Sequence, residues 1–324
     1  MSESDQSYVY AVARIRSKEM QLLTGTFLEQ LLSAPDEETC LRLLNEKGWG
    51  SGEMSAEKML ESEHRKTWEF INDLMNGETA VFNVFLYAND YHNLKAAIKD
   101  SIEKVKCPGI FMEDGTVPVK TIVEAVEKRE YTLLPERMRK AAEEAQDILL
   151  KTRDGQLCDC VTDRAALVDI LRAGKETHEE ILSLYGELTV ASADIKALVR
   201  AVKTGKDRQF MERMVAPCDS LDTKKLIDAA AEGMNELLKY LESTKYSDAV
   251  SVLKESPSAF ERWCDNLIIR SMRPEIHNPF GLGPLAAYIL ARENEIKTVR
   301  IVLSGKRNSL PDESVRERVR EMYV

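Results

Sequence analysis

The sequence predicts an all-α protein built from three similar helical domains, and three observations carry that expectation. No long stretch alternates apolar and polar residues with period two, whereas apolar residues three to four apart recur nearly throughout the 324 residues. Clusters of Gly and Pro punctuate the helical segments. A short motif also returns at equal spacing: Asn93-Leu94-Lys95-Ala96-Ala97-Ile98-Lys99, Asp194-Ile195-Lys196-Ala197-Leu198-Val199-Arg200 and Glu295-Ile296-Lys297-Thr298-Val299-Arg300. Lys95, Lys196 and Lys297 stand 101 residues apart in both steps. Three copies in register argue for three helical bodies in sequence, over residues 1–106, 107–208 and 209–324. The second and third copies share the endings Thr204-Gly205-Lys206 and Ser304-Gly305-Lys306. A fainter half copy, Val12-Ala13-Arg14-Ile15, would let the first body close against the last.

In chain order, Val9, Val12 and Ile15 begin a first helix, and Leu22, Phe27, Leu28, Leu31 and Leu32 mark the next. Leu41 and Leu44 close a short one before Gly48-Trp49-Gly50, and Glu57 to Asn76 has helical propensity. Phe82, Phe85, Leu86, Leu94 and Ile98 follow Gly77. Pro108-Gly109 and Glu113-Asp114-Gly115 form the clearest break. Pro118 then starts a helix carrying Ile122, Val123 and Val126, and Leu134-Pro135 begins another that runs to about Lys151. Thr162 and Asp163 are placed to cap a helix through Val168 and Leu171, with a long helix from about Glu176 to Thr204 after it. Asp219-Ser220-Leu221-Asp222 precedes the apolar series Leu226 to Leu241, and Ser256-Pro257-Ser258 precedes Phe260, Trp263, Leu267 and Ile268.

The net charge of −10 and pI near 5.2 disfavour nucleic acid or an anionic lipid surface as the main partner. Residues 1–7 are polar and acidic, without the basic start or apolar run of a signal peptide. The longest apolar runs, Ala80–Ala88 and Pro284–Ala291, are half the roughly 18 residues a spanning helix needs, so no direct membrane insertion is expected. The six cysteines, Cys40, Cys107, Cys158, Cys160, Cys218 and Cys264, are expected as reduced cytoplasmic thiols. Cys158-Asp159-Cys160 has a one-residue spacer and no second pair to complete a zinc site, and none of His64, His92, His178 and His277 forms a ligand pair. Gly281-Leu282-Gly283-Pro284 lacks the Gly-Lys-Ser/Thr ending of a phosphate loop, and its proline removes an N–H. No serine sits in a Gly-x-Ser-x-Gly turn, and pairs such as Glu143-Glu144 are what 55 acidic residues produce on solvated helix faces. No catalytic residue, cofactor or metal ligand is expected.

The C-terminal stretch is the most specific. After Asn278-Pro279-Phe280-Gly281, Pro284 suits the first turn of a helix. Leu285, Ile289, Ile296, Val299, Val302 and Leu303 then make an apolar stripe about five turns long. Arg292 with Glu295, and Glu293 with Lys297, are spaced to pair on the outer side. Gly305 lies where a left-handed cap belongs, and a last short helix is expected over Ser314 to Tyr323. Pro284-Leu285 with Tyr288, the run Ala291 to Lys297, Val299-Arg300-Ile301, Asn308-x-Leu310-Pro311 and the closing Arg316 to Val324 resemble the C-terminal signature of the C subunits of V-type (A/V-type) rotary ATPases, whose eukaryotic relative is the d subunit. Gly283 departs from the pattern, since relatives often carry an acidic residue there.

The resemblance implies three similar helical domains around a pseudo-threefold, funnel-like axis. It also implies a non-catalytic component that couples the central shaft to the membrane proteolipid ring from the cytoplasmic side. Shaft and ring subunits would be its partners, and ATP hydrolysis or synthesis would be linked to proton or sodium transport. Arg292, Glu293, Lys297, Arg300, Lys95, Lys196 and Arg200 are the candidate partner contacts, as a charged face repeated once per body. The alternative from another class is a free-standing α-helical scaffold that binds helices or peptides in a groove.

Overall fold

The computed structural model describes residues 8–52, 55–103 and 109–324. The acidic start, Cys107, Pro108 and the boundary expected at 106/107 lie outside the described residues. Among the described residues the regular structure is helical, without strands. The α-helices are α1 (Val9–Glu19), α2 (Gly25–Ser33), α3 (Glu37–Glu46), α4 (Ala56–Leu74), α5 (Tyr87–Glu103) and α6 (Val119–Lys128). Next come α7 (Glu136–Thr152), α8 (Gly155–Glu176), α9 (Glu180–Lys203), α10 (Arg208–Met214), α11 (Thr223–Glu232) and α12 (Met234–Glu242). The last are α13 (Ala249–Glu255), α14 (Pro257–Met272), α15 (Gly283–Arg307) and α16 (Asp312–Arg316). Short 3-10 turns cover Ala80–Phe85, Tyr131–Leu133 and Arg273–His277.

These elements gather into two compact units: Met1–Thr79 with Ser251–Val324, and Ala80–Val250. In the first, the opening helices share a core with the end of the chain. Leu28, Leu31, Leu44 and Met59 pack in one buried cluster with Ile296, Val299, Val302 and Met322. In the second, Tyr91, Leu94 and Ile98 of α5 are buried with Ile122, Met138, Ala142 and Cys158.

Local chemistry sets most helix starts. Asp36, Asp154, Asp207, Asp222 and Ser256 each accept a backbone N–H of the first turn. Three expectations need correcting. The cap of α8 is Asp154, which accepts from the Leu157 N–H at 2.9 Å. Thr162 is instead buried within the helix, its hydroxyl donating back to the Cys158 carbonyl at 2.9 Å, so it does not cap. The long helix expected from Glu176 begins at Glu180, because α8 ends at Glu176 and His178 turns the chain at φ 57°. The last helix stops at Arg316, well short of Tyr323. Beyond it, the Glu321 backbone bonds to the Asn266 side chain at 2.9 Å and to Asn294 at 2.8 Å, and Met322 and Tyr323 are buried. The tail takes its partners from α14 and α15 rather than from its own turns.

The two matching sequence endings do different work. Gly205, at φ +64°, follows α9 as its left-handed cap, with the Lys206 N–H reaching the Ala201 carbonyl at 3.0 Å. Helix α15 ends in the same way, but Ser309 takes the positive φ and the Leu310 N–H reaches the carbonyl of Gly305 at 2.9 Å. Gly305 therefore lies inside the helix, not at its cap. Its role is steric: a Cβ there would meet a methyl of Val315 at 2.5 Å.

Candidate functional site

Eighteen of the 25 residues of α15 are buried, so the helix is enclosed on almost every side rather than along one stripe. Ala286, Ala287 and Ala291 keep its first turns narrow enough for neighbours to close around it. This enclosure decides the fate of the charged positions. Arg292, expected on the outer side, is buried. Its guanidinium bridges Glu63 of α4 and Glu295, with N···O distances of 2.5 Å to each, and lies 4.9 Å from the ring centre of Trp49. Glu63 also accepts from Lys66 Nζ and from the Gly50 N–H, both at 2.8 Å. Glu295 accepts a short hydrogen bond from the Leu23 N–H. Burial pushes the Glu295 carboxyl up to about 7, against the opposing pull of Arg292 and that N–H. The expected Arg292–Glu295 pair therefore forms as part of a buried network tying α15 to α4 and to the chain ahead of α2.

The other candidates are dispersed. Glu293 is half-buried and meets His64 Nδ1 at 2.6 Å, so the expected i,i+4 partner Lys297 is replaced by a residue of α4. Lys297 is exposed and reaches Asp265 at 2.5 Å, a carboxylate it shares with Arg320 Nε at 2.8 Å. Arg300, one turn on, is exposed beside a shallow cavity with Ser304 and Leu310. In the other unit, Lys95 pairs with Asp163 at 2.7 Å, while Lys196 and Arg200 are exposed on α9.

A position missing from the expected contacts is the most regular one. Two residues before each motif lysine stand Asn93, Asp194 and Glu295, all buried. Each accepts a backbone N–H from a segment outside its own helix. Asn93 takes that of Met112 at 2.8 Å, Asp194 that of Ala216 at 3.1 Å, and Glu295 that of Leu23. The Asn93 amide also donates to the Met112 carbonyl at 2.7 Å. Burial pushes Asp194 up to about 8. A polar residue at the same place in all three copies, next to an apolar one, was the available signal.

The Gly283 departure also gains a local account. The Glu275 carboxylate occupies the space where a side chain at 283 would begin, and it accepts from Asn278 Nδ2 at 2.8 Å. An acidic group therefore does stand at the start of α15, supplied by another residue. Cys158 and Cys160 sit two apart on α8, a spacing that points side chains away from each other. Among the described residues no group of three His, Cys, Asp or Glu is placed to hold a metal ion, and no helix is long and apolar enough to cross a membrane.

Residues 11–318 match the ATP synthase (C/AC39) subunit family. Among curated proteins, the chain is similar to the C subunit of the V-type sodium ATPase of Enterococcus hirae, with 22% identity covering 95% of this chain and 97% of that one. It is 23% identical to the C subunit of the V-type ATP synthase of Thermus thermophilus, over 96% and 98% of the two chains. The C subunit of the A-type ATP synthase of Methanocaldococcus jannaschii is 24% identical, over 95% and 85%.

Proposed function

The chain belongs to the ATP synthase (C/AC39) subunit family, and from that premise we propose that it is a non-catalytic coupling component of a V-type rotary ATPase. In this reading it joins the central shaft to the membrane proteolipid ring from the cytoplasmic side. It passes torque between ATP turnover and proton or sodium movement. The observation that carries the reading is the similarity along nearly the whole length of this chain and of its relatives, each named as the C subunit of such an ATPase or synthase.

The residue chemistry supports a mechanical role. A coupling needs stiffness and faces for its neighbours, and the buried Glu63–Arg292–Glu295 network fastens long helices together where loose packing would dissipate torque. We also propose that the chain comprises three related helical bodies over 1–106, 107–208 and 209–324, arranged about a pseudo-threefold axis. The shared buried acceptors at 93, 194 and 295, on α5, α9 and α15, support the kinship of the bodies.

Deletion of the protein tests the role. ATP-driven ion pumping should be lost while ATP hydrolysis by the soluble head continues; pumping that survives deletion would remove the proposal. The purified chain should also give no ATP-binding heat in calorimetry.

A further inference from the structure

Helix α8 shows one face to two adjoining cavities within the Ala80–Val250 unit. The first, of roughly 380 Å³, lies between α7, α8 and α10, and Arg137, Lys140 and Arg164 reach it. The second, of roughly 430 Å³, has an apolar floor of Val168, Leu171 and Pro217. The two meet at Val168. The α8 residues that line them, from Val161 to Glu176, recur at three- and four-residue steps along about 22 Å of helix.

The charge of this groove runs against that of the chain. Six basic residues line it (Arg137, Lys140, Arg164, Arg172, Lys175 and Arg213) against four acidic ones, in a protein whose net charge is −10. The acids have partners already: Glu144 meets Arg213, Glu212 meets Arg208, and Asp169 and Glu176 meet Arg172. Arg137, Arg172, Lys175 and Arg213 are paired as well, which leaves two cations over. Among the described residues Lys140 and Arg164 form no ion pair, and Arg164 spends only its Nε, on the Val215 carbonyl at 2.8 Å. Arg137 is spent within the fold, with Nη2 on Asp90 and Thr116 and Nη1 buried 3.8 Å from Asp169.

We propose that this groove docks an acidic amphipathic helix of a partner protein, about four turns long. Its apolar side chains would fill the cavity over Val168 and Leu171, and its carboxylates would meet Lys140 and Arg164. A small anion would account for the basic cavity and leave the apolar one empty. An extended segment would find no sheet edge, since helices whose own backbone groups are already paired form the walls. A helix satisfies its own backbone and needs only side-chain contacts.

The test is run in the assembled ATPase, a choice that rests on the coupling role above. A photo-crosslinking amino acid is placed at Ala165 and, separately, at Arg172, seven residues on along α8. Both crosslinks should map to one partner segment, about seven residues apart, with apolar residues at helical spacing and carboxylates toward the Ala165 end. Lys140→Glu should weaken assembly at low ionic strength roughly tenfold, less at high salt, with an unchanged melting temperature. Arg164→Glu should act in the same direction. Crosslinks to two unrelated segments, to a basic one, or to none would overturn the proposal. Saturable binding of inorganic phosphate that needs Lys140, with assembly unaffected by Lys140→Glu, would overturn it in favour of a small-anion site. If deletion of the protein uncouples pumping yet neither position crosslinks, the groove fails and the coupling role stands.

Discussion

At the scale of single residues, Arg292 shows how far the use of a charge can lie from its surroundings in sequence. In a sequence window it belongs to an ionic surface pattern; in the fold it is the cation between two buried carboxylates. Arg292→Leu should therefore destabilise the protein by about 3–5 kcal/mol in urea unfolding, because Glu63 and Glu295 would lose their shared counter-ion. The loss should shrink as the pH falls below about 7 and the Glu295 carboxyl takes up a proton. A loss below about 1 kcal/mol would mean that the pair finds other compensation. Asp194 makes an opposite case, since burial raises its folded pKa to about 8 against the Ala216 N–H and the nearby Arg164 charge. Between the ordinary carboxylate pKa and that value the native state holds a proton that the unfolded chain has released. The Asp194 contribution to stability thus falls as pH rises through this window and is constant outside it. Asp194→Asn should abolish that slope and leave the protein at least as stable at pH 8 as the parent, since the amide oxygen can still accept from Ala216. Asn93 already makes the equivalent bond. Urea midpoints of parent and variant between pH 4 and pH 8 check this, and parallel curves would refute it.

At the scale of elements, periodicity made the helices legible, and it did so best where a helix has one wet side. It failed where tertiary partners replace local ones. The tail after Arg316 has helix-forming residues, yet Asn266 and Asn294 capture its backbone. Thr162 has the chemistry of a cap but lies about two turns inside α8. The charged face read from α15 could not be legible in one window, because burial of Arg292 depends on α4, more than 200 residues away in sequence. Gly305 is the sharpest instance, since its likeness to Gly205 is real in sequence and absent in role. Gly305→Ala should cost about 1–3 kcal/mol through overpacking against Val315, and Val315→Ala in the same chain should recover much of that loss. Gly205→Ala should cost roughly 1–2 kcal/mol through its backbone conformation alone, and Val315→Ala should not relieve it. A double-mutant cycle in urea distinguishes the two; a coupling energy near zero between 305 and 315 would refute the packing account.

At the scale of the whole molecule, a part that transmits torque must keep its own fold while its surface answers to neighbours. The candidate residues divide along that line. Arg292 and Glu295 hold the fold, and reversing either would test folding rather than assembly. Lys297 is partly spent on Asp265. Arg300 is the cleaner probe: it is exposed, and among the described residues no carboxylate pairs with it. Arg300→Glu should change the stability of the isolated chain by no more than about 0.5 kcal/mol, as surface substitutions usually do. If this edge of α15 meets a neighbouring subunit, the same reversal should slow assembly and weaken it several-fold at low ionic strength. Salt should narrow the difference, because screening over about 10 Å at 0.1 M reduces attraction in the parent and repulsion in the variant alike. Association rates over a salt series, measured with the purified partner subunits, decide the matter. Identical rates at every salt concentration would make Arg300 part of a solvated face, and the contacts that carry torque would have to lie elsewhere on the chain.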